Sequence, residues 1–342
     1  MGSRVKKGFS VAVSIAFTVN YVVGAGSLTI PWAFYQAGSG LGILMLGVMG
    51  FFSFSAVLFL LETMARADTL MKITSSTTRL SATSAEEQPL LAHPSSSPPK
   101  QMIGSRKFEV SELCEIFLGP IGKAIYILII SIYMYGTLWA YATVFSNALS
   151  AHFPLGISSY YLYLALFACL ALPVSCMELN GLVSLLVTLS LCRILMILLM
   201  LSTLLLSRAT ATQAFPEFGV ISHASFFAAD SSKLYILLPI TAYANIFHHS
   251  LPSLSHPVDD KSKLVTIFGA TILSCLIAYS LIGSIISTYF GALVKSSSNL
   301  NWMAYNGGGL LPTKVAEAIS FYIVCFPALD VASAFPVRFN VF

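Results

Sequence analysis

The sequence predicts an all-α polytopic membrane protein with about eight transmembrane helices, and three observations carry that reading. Of its 342 residues, 56% are hydrophobic and only 9% are charged, whereas soluble domains carry about 25% charged residues. The mean hydropathy is +0.82. The apolar residues also gather into stretches of the length a helix needs to cross hydrocarbon, about 20 residues. These stretches are far longer than the strands of a barrel. The net charge of +4 lies in the loops and forms no stripe, so the expected partner is the lipid bilayer and not nucleic acid.

In chain order the candidate spans are 9–36, 39–63, 120–148, 158–176, 181–206, 233–255, 264–291 and 313–337. The first opens on "MGSRVKKGFSVAVSIAF", which has the outline of a signal peptide. A removable signal would explain neither the "IPWAF" that follows nor the further spans. Lys6 stands where the myristoylation pattern wants Ser or Thr. With the N-terminus in the cytosol, thirteen of the eighteen basic residues fall inside, among them Arg4, Lys6, Lys7, Arg66, Lys72, Arg106, Lys107, Lys123, Lys261 and Lys263. Arg208, Lys233, Lys295 and Lys314 fall outside, and Arg193 lies within a span. This bias sets the expected topology.

Residues 64–106, with "SSTTRLSATSAEEQPLLAHPSSSPPK", are expected to be a disordered cytosolic loop. The stretch "RKFEVSELCEIFLGPIGK" then sets Phe108, Val110, Leu113 and Phe117 near helical spacing. It reads as a short amphipathic helix at the membrane surface. The outer loop 207–232 and the segment "SSSNLNWMAYNGGG" are expected to be exposed connections. The six cysteines form no disulfide framework, and no metal-ligand spacing, phosphate loop or nucleophile–base pair supports an enzyme.

Two spans are interrupted. In the first, Val23-Gly24-Ala25-Gly26-Ser27 removes bulk and helix propensity together, and Pro31 suits the opening turn of a new half-helix. Unwound backbone survives in a bilayer only where protein or a polar cavity satisfies it. The orphan N–H groups and positive dipole end of the new half-helix suit a carboxylate. Close helix packing through small residues explains the same stretch equally well. The sixth span adds a second break, "ITAYANIFHHSLPSLSHPVDD", where Pro252 and Pro257 follow Asn245, His248 and His249. Paired breaks in corresponding spans point to the binding site of a secondary transporter.

These residues resemble a known family. "NYVVGAGSLTIPWAFYQAG" is similar to the first-helix signature of the amino acid/auxin permeases, and "FHHSLPSL" resembles their sixth-helix pattern. "SELCEIFLGPIGK" and "FPVR" resemble the surface helix and the end of the eighth helix. The resemblance implies a leucine-transporter-type fold of two inverted five-helix repeats. Residues 9–206 would form the first repeat and 233–342 a partial second one, within a single transporter domain covering 1–342. About eleven spans are implied, and the sequence ends after the eighth, which leaves its competence for transport open.

The implied activity is secondary active amino acid transport by alternating access, coupled to protons or sodium, with no other cofactor. An amino acid sensor without net flux, or a non-transporting fragment, is the alternative. By the implied fold, the substrate carboxylate meets backbone N–H groups of Val23, Gly24, Ala25, Gly26 and Ser27. The amino group meets carbonyls around Tyr243, Asn245 and His248, and Tyr133 or Tyr135 reaches the same pocket.

Two charges lie within the membrane, where ionisable groups are usually functional. Arg193 falls about 18 Å and Asp330 about 10 Å from the cytosolic edge, at a helical rise of about 1.5 Å per residue. Relatives of this fold hold sodium between the first and eighth spans. Arg193 is expected to supply a fixed positive charge there, with Asp330 as its partner in ion coupling or in a static pair. Glu86, Leu90 and Leu91 resemble an acidic dileucine signal, which implies a sorting adaptor and an endosomal, lysosomal or vacuolar address.

Overall fold

The computed structural model describes residues 9–83, 106–156, 158–175, 183–216 and 229–339. Among the described residues the apolar stretches are helical, the first of them with a break. The elements are α1 (Val11–Val22), α2 (Ile30–Ala37), α3 (Ser39–Thr83), α4 (Val110–His152) and α5 (Ser159–Ser175). They continue with α6 (Val183–Ala209), α7 (Leu234–Ala244), α8 (Leu251–Ser255), α9 (Leu264–Phe290) and α10 (Thr313–Phe339). Among the described residues, α3, α4, α6 and α9 are each long and apolar enough to cross a bilayer, and α1 with α2 make a fifth crossing when taken as one broken span. The chain divides into two compact units, Met1–Val19, Phe51–Ile130 and Ile246–Leu273 in one, Asn20–Gly50, Ser131–Asn245 and Ser274–Phe342 in the other.

In the first unit, α3 runs on to Thr83, well past the expected loop boundary at residue 64. Two causes extend it. Glu62 with Arg66 and Asp68 with Lys72 are oppositely charged pairs one turn apart, the spacing that supports a helix. Met64 and Ala67 also remain buried, packed with Phe108 and Leu113. The expected disorder is therefore corrected for residues 64–83, and 84–105 lie outside the described residues. The predicted surface helix forms the start of α4. Gly119, at φ 72°, breaks it from the long apolar helix that begins at Pro120, a conformation that glycine adopts without a Cβ penalty.

The same unit holds one backbone bridge. The Phe9 N–H donates to Pro257 O (2.7 Å), and the Asp259 N–H donates to Phe9 O (3.3 Å). Just beyond it, Lys261 Nζ donates to the carbonyls of Ser255 and His256, 2.7 Å each, and so caps the end of α8 with a cation.

The second unit is organised around an aromatic cluster. Phe215 lies 5.0 Å from Phe290, 5.3 Å from Tyr305 and 5.7 Å from Trp302, ring centre to ring centre. Trp302 is fully buried, its indole N–H donating to Thr203 Oγ1 at 3.0 Å. Asn299 donates to Val324 O at 3.1 Å. The segment around residues 298–304 and the described part of the 207–232 loop thus contribute buried side chains. The expectation of exposed connections is corrected here: buried amides and the indole are tolerated because each polar tip has a partner.

Two helix starts share one local design. Asp230 and Asp260 cap short turns opening α7 and α9, each accepting from the backbone N–H of the serine two residues on, at 2.9 and 3.1 Å. Asp is a favoured cap because its carboxylate satisfies an orphan donor.

Candidate functional site

The break in the first span is built as its residues dictate. Helix α1 stops at Val22, Gly24 is extended (φ −113°, ψ −165°), Ala25–Leu28 form a tight turn, and α2 begins at Ile30 with Pro31 in its first turn. Ser27 closes the turn: its N–H and its Oγ both donate to Gly24 O, at 3.1 and 2.9 Å. The Ser27 N–H expected for the substrate is therefore used by the turn itself.

Gly26 faces Tyr243 of α7. A Cβ at this position would lie 3.1 and 3.2 Å from two ring carbons of Tyr243, so the turn and the tyrosine approach this closely only with glycine. Tyr133 of α4 stands behind, its ring centre 6.1 Å from that of Tyr243. Tyr135 does not join them. Two residues on along a helix is about 200° around it, so its ring is 66% exposed and packs edge-on against Trp139. Of the two tyrosines weighed, the structure brings Tyr133 to this place and sets Tyr135 against Trp139 instead. Asn245, at the end of α7, is buried, and its side-chain amide donates to Thr241 O at 2.9 Å, which seals the last turn of its own helix.

The carbonyl end of α1 is the polar centre of this unit. The last carbonyls of a helix lack intrahelical partners and carry the negative end of its dipole. Arg193 from α6 covers them: Nη1 donates to Val23 O at 2.6 Å and to Asn20 O at 3.0 Å. The rest of its fork grips Asp330 of α10, Nε to Oδ2 at 3.0 Å and Nη2 to Oδ1 at 2.7 Å. The guanidinium thus uses four of its five N–H donors and ties three helices together. Both side chains are sheltered, 14% exposed for Arg193 and 6% for Asp330. A cavity of about 10 Å³, lined by Gly24, Ser27, Arg193 and Asp330 among others, adjoins the pair and has room for one water at most.

Sequence reasoning missed the supports of this centre. Tyr279 of α9 donates its hydroxyl to Val22 O at 3.1 Å, and Asn20 donates to Ser190 Oγ. The available signal was a tyrosine with a polar tip inside an apolar helix, which gives no direction on its own.

His248 belongs to the first unit. Its Nε2 lies 3.0 Å from Ser53 O and 3.1 Å from Ser53 Oγ. Ser53 thus meets this ring nitrogen through both its carbonyl and its hydroxyl. The ring stacks on Phe247, centres 5.1 Å apart. Glu86, Leu90 and Leu91 lie outside the described residues. Among the described residues no cluster of three His, Cys, Asp or Glu side chains is placed to hold a metal.

Comparison with known proteins agrees with this architecture. The chain is similar to a Transmembrane protein 104 homolog of Dictyostelium discoideum, 26% identical over 328 residues, covering 84% of this chain and 63% of that protein. It is also similar to human Transmembrane protein 104, 24% identical over 375 residues, covering 96% of this chain and 73% of that one. A Caenorhabditis elegans homolog is 23% identical over 360 residues, with 96% and 66% covered. Residues 7–332 match the transmembrane amino acid transporter protein family. With the match running over nearly the whole chain, and apolar helices of membrane-spanning length along it, this chain belongs to the family of transmembrane amino acid transporter proteins.

Proposed function

We propose that the chain is the substrate-binding core of a secondary active amino acid transporter that works by alternating access and is driven by protons without sodium. The reading takes spans one to five and six onward as inverted repeats, broken in their first members. The substrate carboxylate sits against the backbone N–H groups of Gly24, Ala25 and Gly26, beside Tyr243 and Tyr133.

One observation carries the choice of coupling ion. The carbonyls of Asn20 and Val23 and the carboxylate of Asp330 make a cation site between α1 and α10, and the Arg193 guanidinium already fills it. Arg cannot be deprotonated in a protein, so it serves as a permanent cation where a sodium ion would have to enter and leave. Both oxygens of Asp330 are engaged, so it takes a proton only when the clasp opens, and opening is the conformational step. The chain spans 63% of the length of its Dictyostelium relative, and the test uses the polypeptide as the cell makes it.

The test is flux of labelled amino acids into vesicles holding that polypeptide, under imposed proton or sodium gradients. Uptake that follows the proton gradient and ignores sodium is expected. Sodium-dependent uptake overturns the coupling assignment. Binding without flux under either gradient makes the protein a sensor.

A further inference from the structure

In the first unit, the stretch of α3 around Glu62 passes the surface helix that opens α4, and an open groove of about 510 Å³ lies between them. Its walls are apolar and uncovered. Phe59 is 71% and Leu118 68% exposed, with the exposed Phe117 beside them and the buried Leu113 beneath. Apolar surface of this extent is unfavourable in water and marks a contact site. Beyond the Gly119 break, Ile121 and Ile125 of α4 are exposed as well, in the part of α4 that faces hydrocarbon as a membrane-spanning helix. The groove is therefore a continuation of the lipid-facing surface.

Charge narrows the occupant. One cation and one anion line the groove, Arg66 and Glu62, paired across a single helical turn. The neighbouring cations are also paired, Lys72 with Asp68 one turn away, Arg106 with Glu112 and Lys123 with Glu115, and Glu109 offsets the charge of Lys107 two residues before it. No net positive field is offered to a polyanionic headgroup, whose phosphates would meet carboxylates at each cation. A headgroup carrying one phosphate and one ammonium complements the Arg66–Glu62 couple at both ends.

We propose that this groove is a binding site for a zwitterionic glycerophospholipid of the adjoining leaflet. An acyl chain lies along Phe59, Phe117 and Leu118, the phosphate meets Arg66 and the ammonium meets Glu62. The bound lipid bridges α3 and the surface helix, which otherwise meet through the small cluster around Met64 and Phe108.

The experiment reconstitutes the full chain in nanodiscs with phosphatidylethanolamine bearing a photoreactive acyl chain, and maps the labelled peptides by mass spectrometry. Labelling enriched on residues 59–66 and 110–118 over other lipid-facing segments is expected, with loss of that enrichment when phosphatidylglycerol carries the same probe. Exposed Glu62→Arg removes the anion and reverses the headgroup preference. Thr63→Trp, at the groove but outside the buried cluster, fills the space and abolishes the enrichment. Labelling no greater there than elsewhere, equal labelling by both headgroups, or enrichment that survives Thr63→Trp overturns the proposal. The wild-type arm decides even where a variant fails to assemble.

Discussion

Arg193 and Asp330 meet through two parallel hydrogen bonds, 137 positions apart in the chain, while the same guanidinium covers the carbonyl end of α1. A bidentate pair of this kind is directional as well as strong. Removing one partner leaves the other charge buried and unanswered, which costs about 3–5 kcal/mol, whereas replacing both by apolar groups is often neutral. Asp330→Asn and Arg193→Gln are each expected to lower the melting temperature in detergent sharply and to abolish uptake. The double variant Arg193→Met with Asp330→Leu should recover much of the stability and none of the transport. Equal losses in stability for single and double variants would show that the clasp is not the coupled unit described.

Gly24 and Gly26 separate geometry from composition. A Cβ at Gly24 meets nothing within 4 Å, whereas at Gly26 it presses on Tyr243. Gly24→Ala should keep the thermal stability of the wild type. Gly26→Val should lose uptake, because the turn must withdraw from the tyrosine. Thermal melts and vesicle uptake on the two variants check both halves.

The tyrosines of α4 make a matched control. Tyr133→Ala is expected to raise the substrate concentration needed for half-maximal uptake, since the ring backs Tyr243. Tyr135→Ala, on the exposed side, should leave uptake and its concentration dependence as they were. A defect confined to Tyr135 would refute the placement.

The carboxyls of Asp230 and Asp260 are held below the ordinary aspartate value, first by the hydroxyls of Ser232 and Ser262 and then by the backbone N–H groups of the same residues. A lowered folded-state value means that the stabilisation is present above the unfolded aspartate value, about 3.9, and is lost as pH falls through the folded one. Both caps therefore persist at the pH of an acidic organelle. Asp260→Ala should lower the melting temperature equally at pH 7 and pH 5, and the gap from wild type should close only in stronger acid.

The segment holding Glu86, Leu90 and Leu91 carries the expected organellar address. Leu90→Ala with Leu91→Ala should move a tagged full-length protein to the cell surface, read by surface biotinylation. An unchanged distribution would remove the signal from consideration.

Local signals were legible in the sequence wherever their cause was local. Glycine density and Pro31 marked the break in the first span, the spacing of Phe108 and Leu113 marked the surface helix, and two charges in apolar spans proved to be neighbours. What failed depended on tertiary contact. The length of α3 is set by burial of Met64 and Ala67 against a segment more than forty residues away, which composition cannot register. Tyr133 and Tyr135 have the same chemistry and differ only in the side of the helix they occupy. Trp302 lies in a stretch whose Asn and Gly content reads as solvent-exposed, yet its indole and the Asn299 amide are satisfied by distant helices. The use of Arg193 as a cap for α1 was hidden for the same reason: a carbonyl has no letter in the sequence.

The link between Phe9 and the Pro257–Asp259 stretch has a mechanical meaning. The entry to α1 and the exit from α8 are harnessed by peptide groups alone, so neither end can swing without dragging its neighbour or snapping two hydrogen bonds. Because the harness is main chain, its strength is indifferent to which side chain stands at position 9, with proline excepted for want of an N–H. The start of α1 and the end of α8 are thus geared to travel as one lever, whatever evolves at their surfaces.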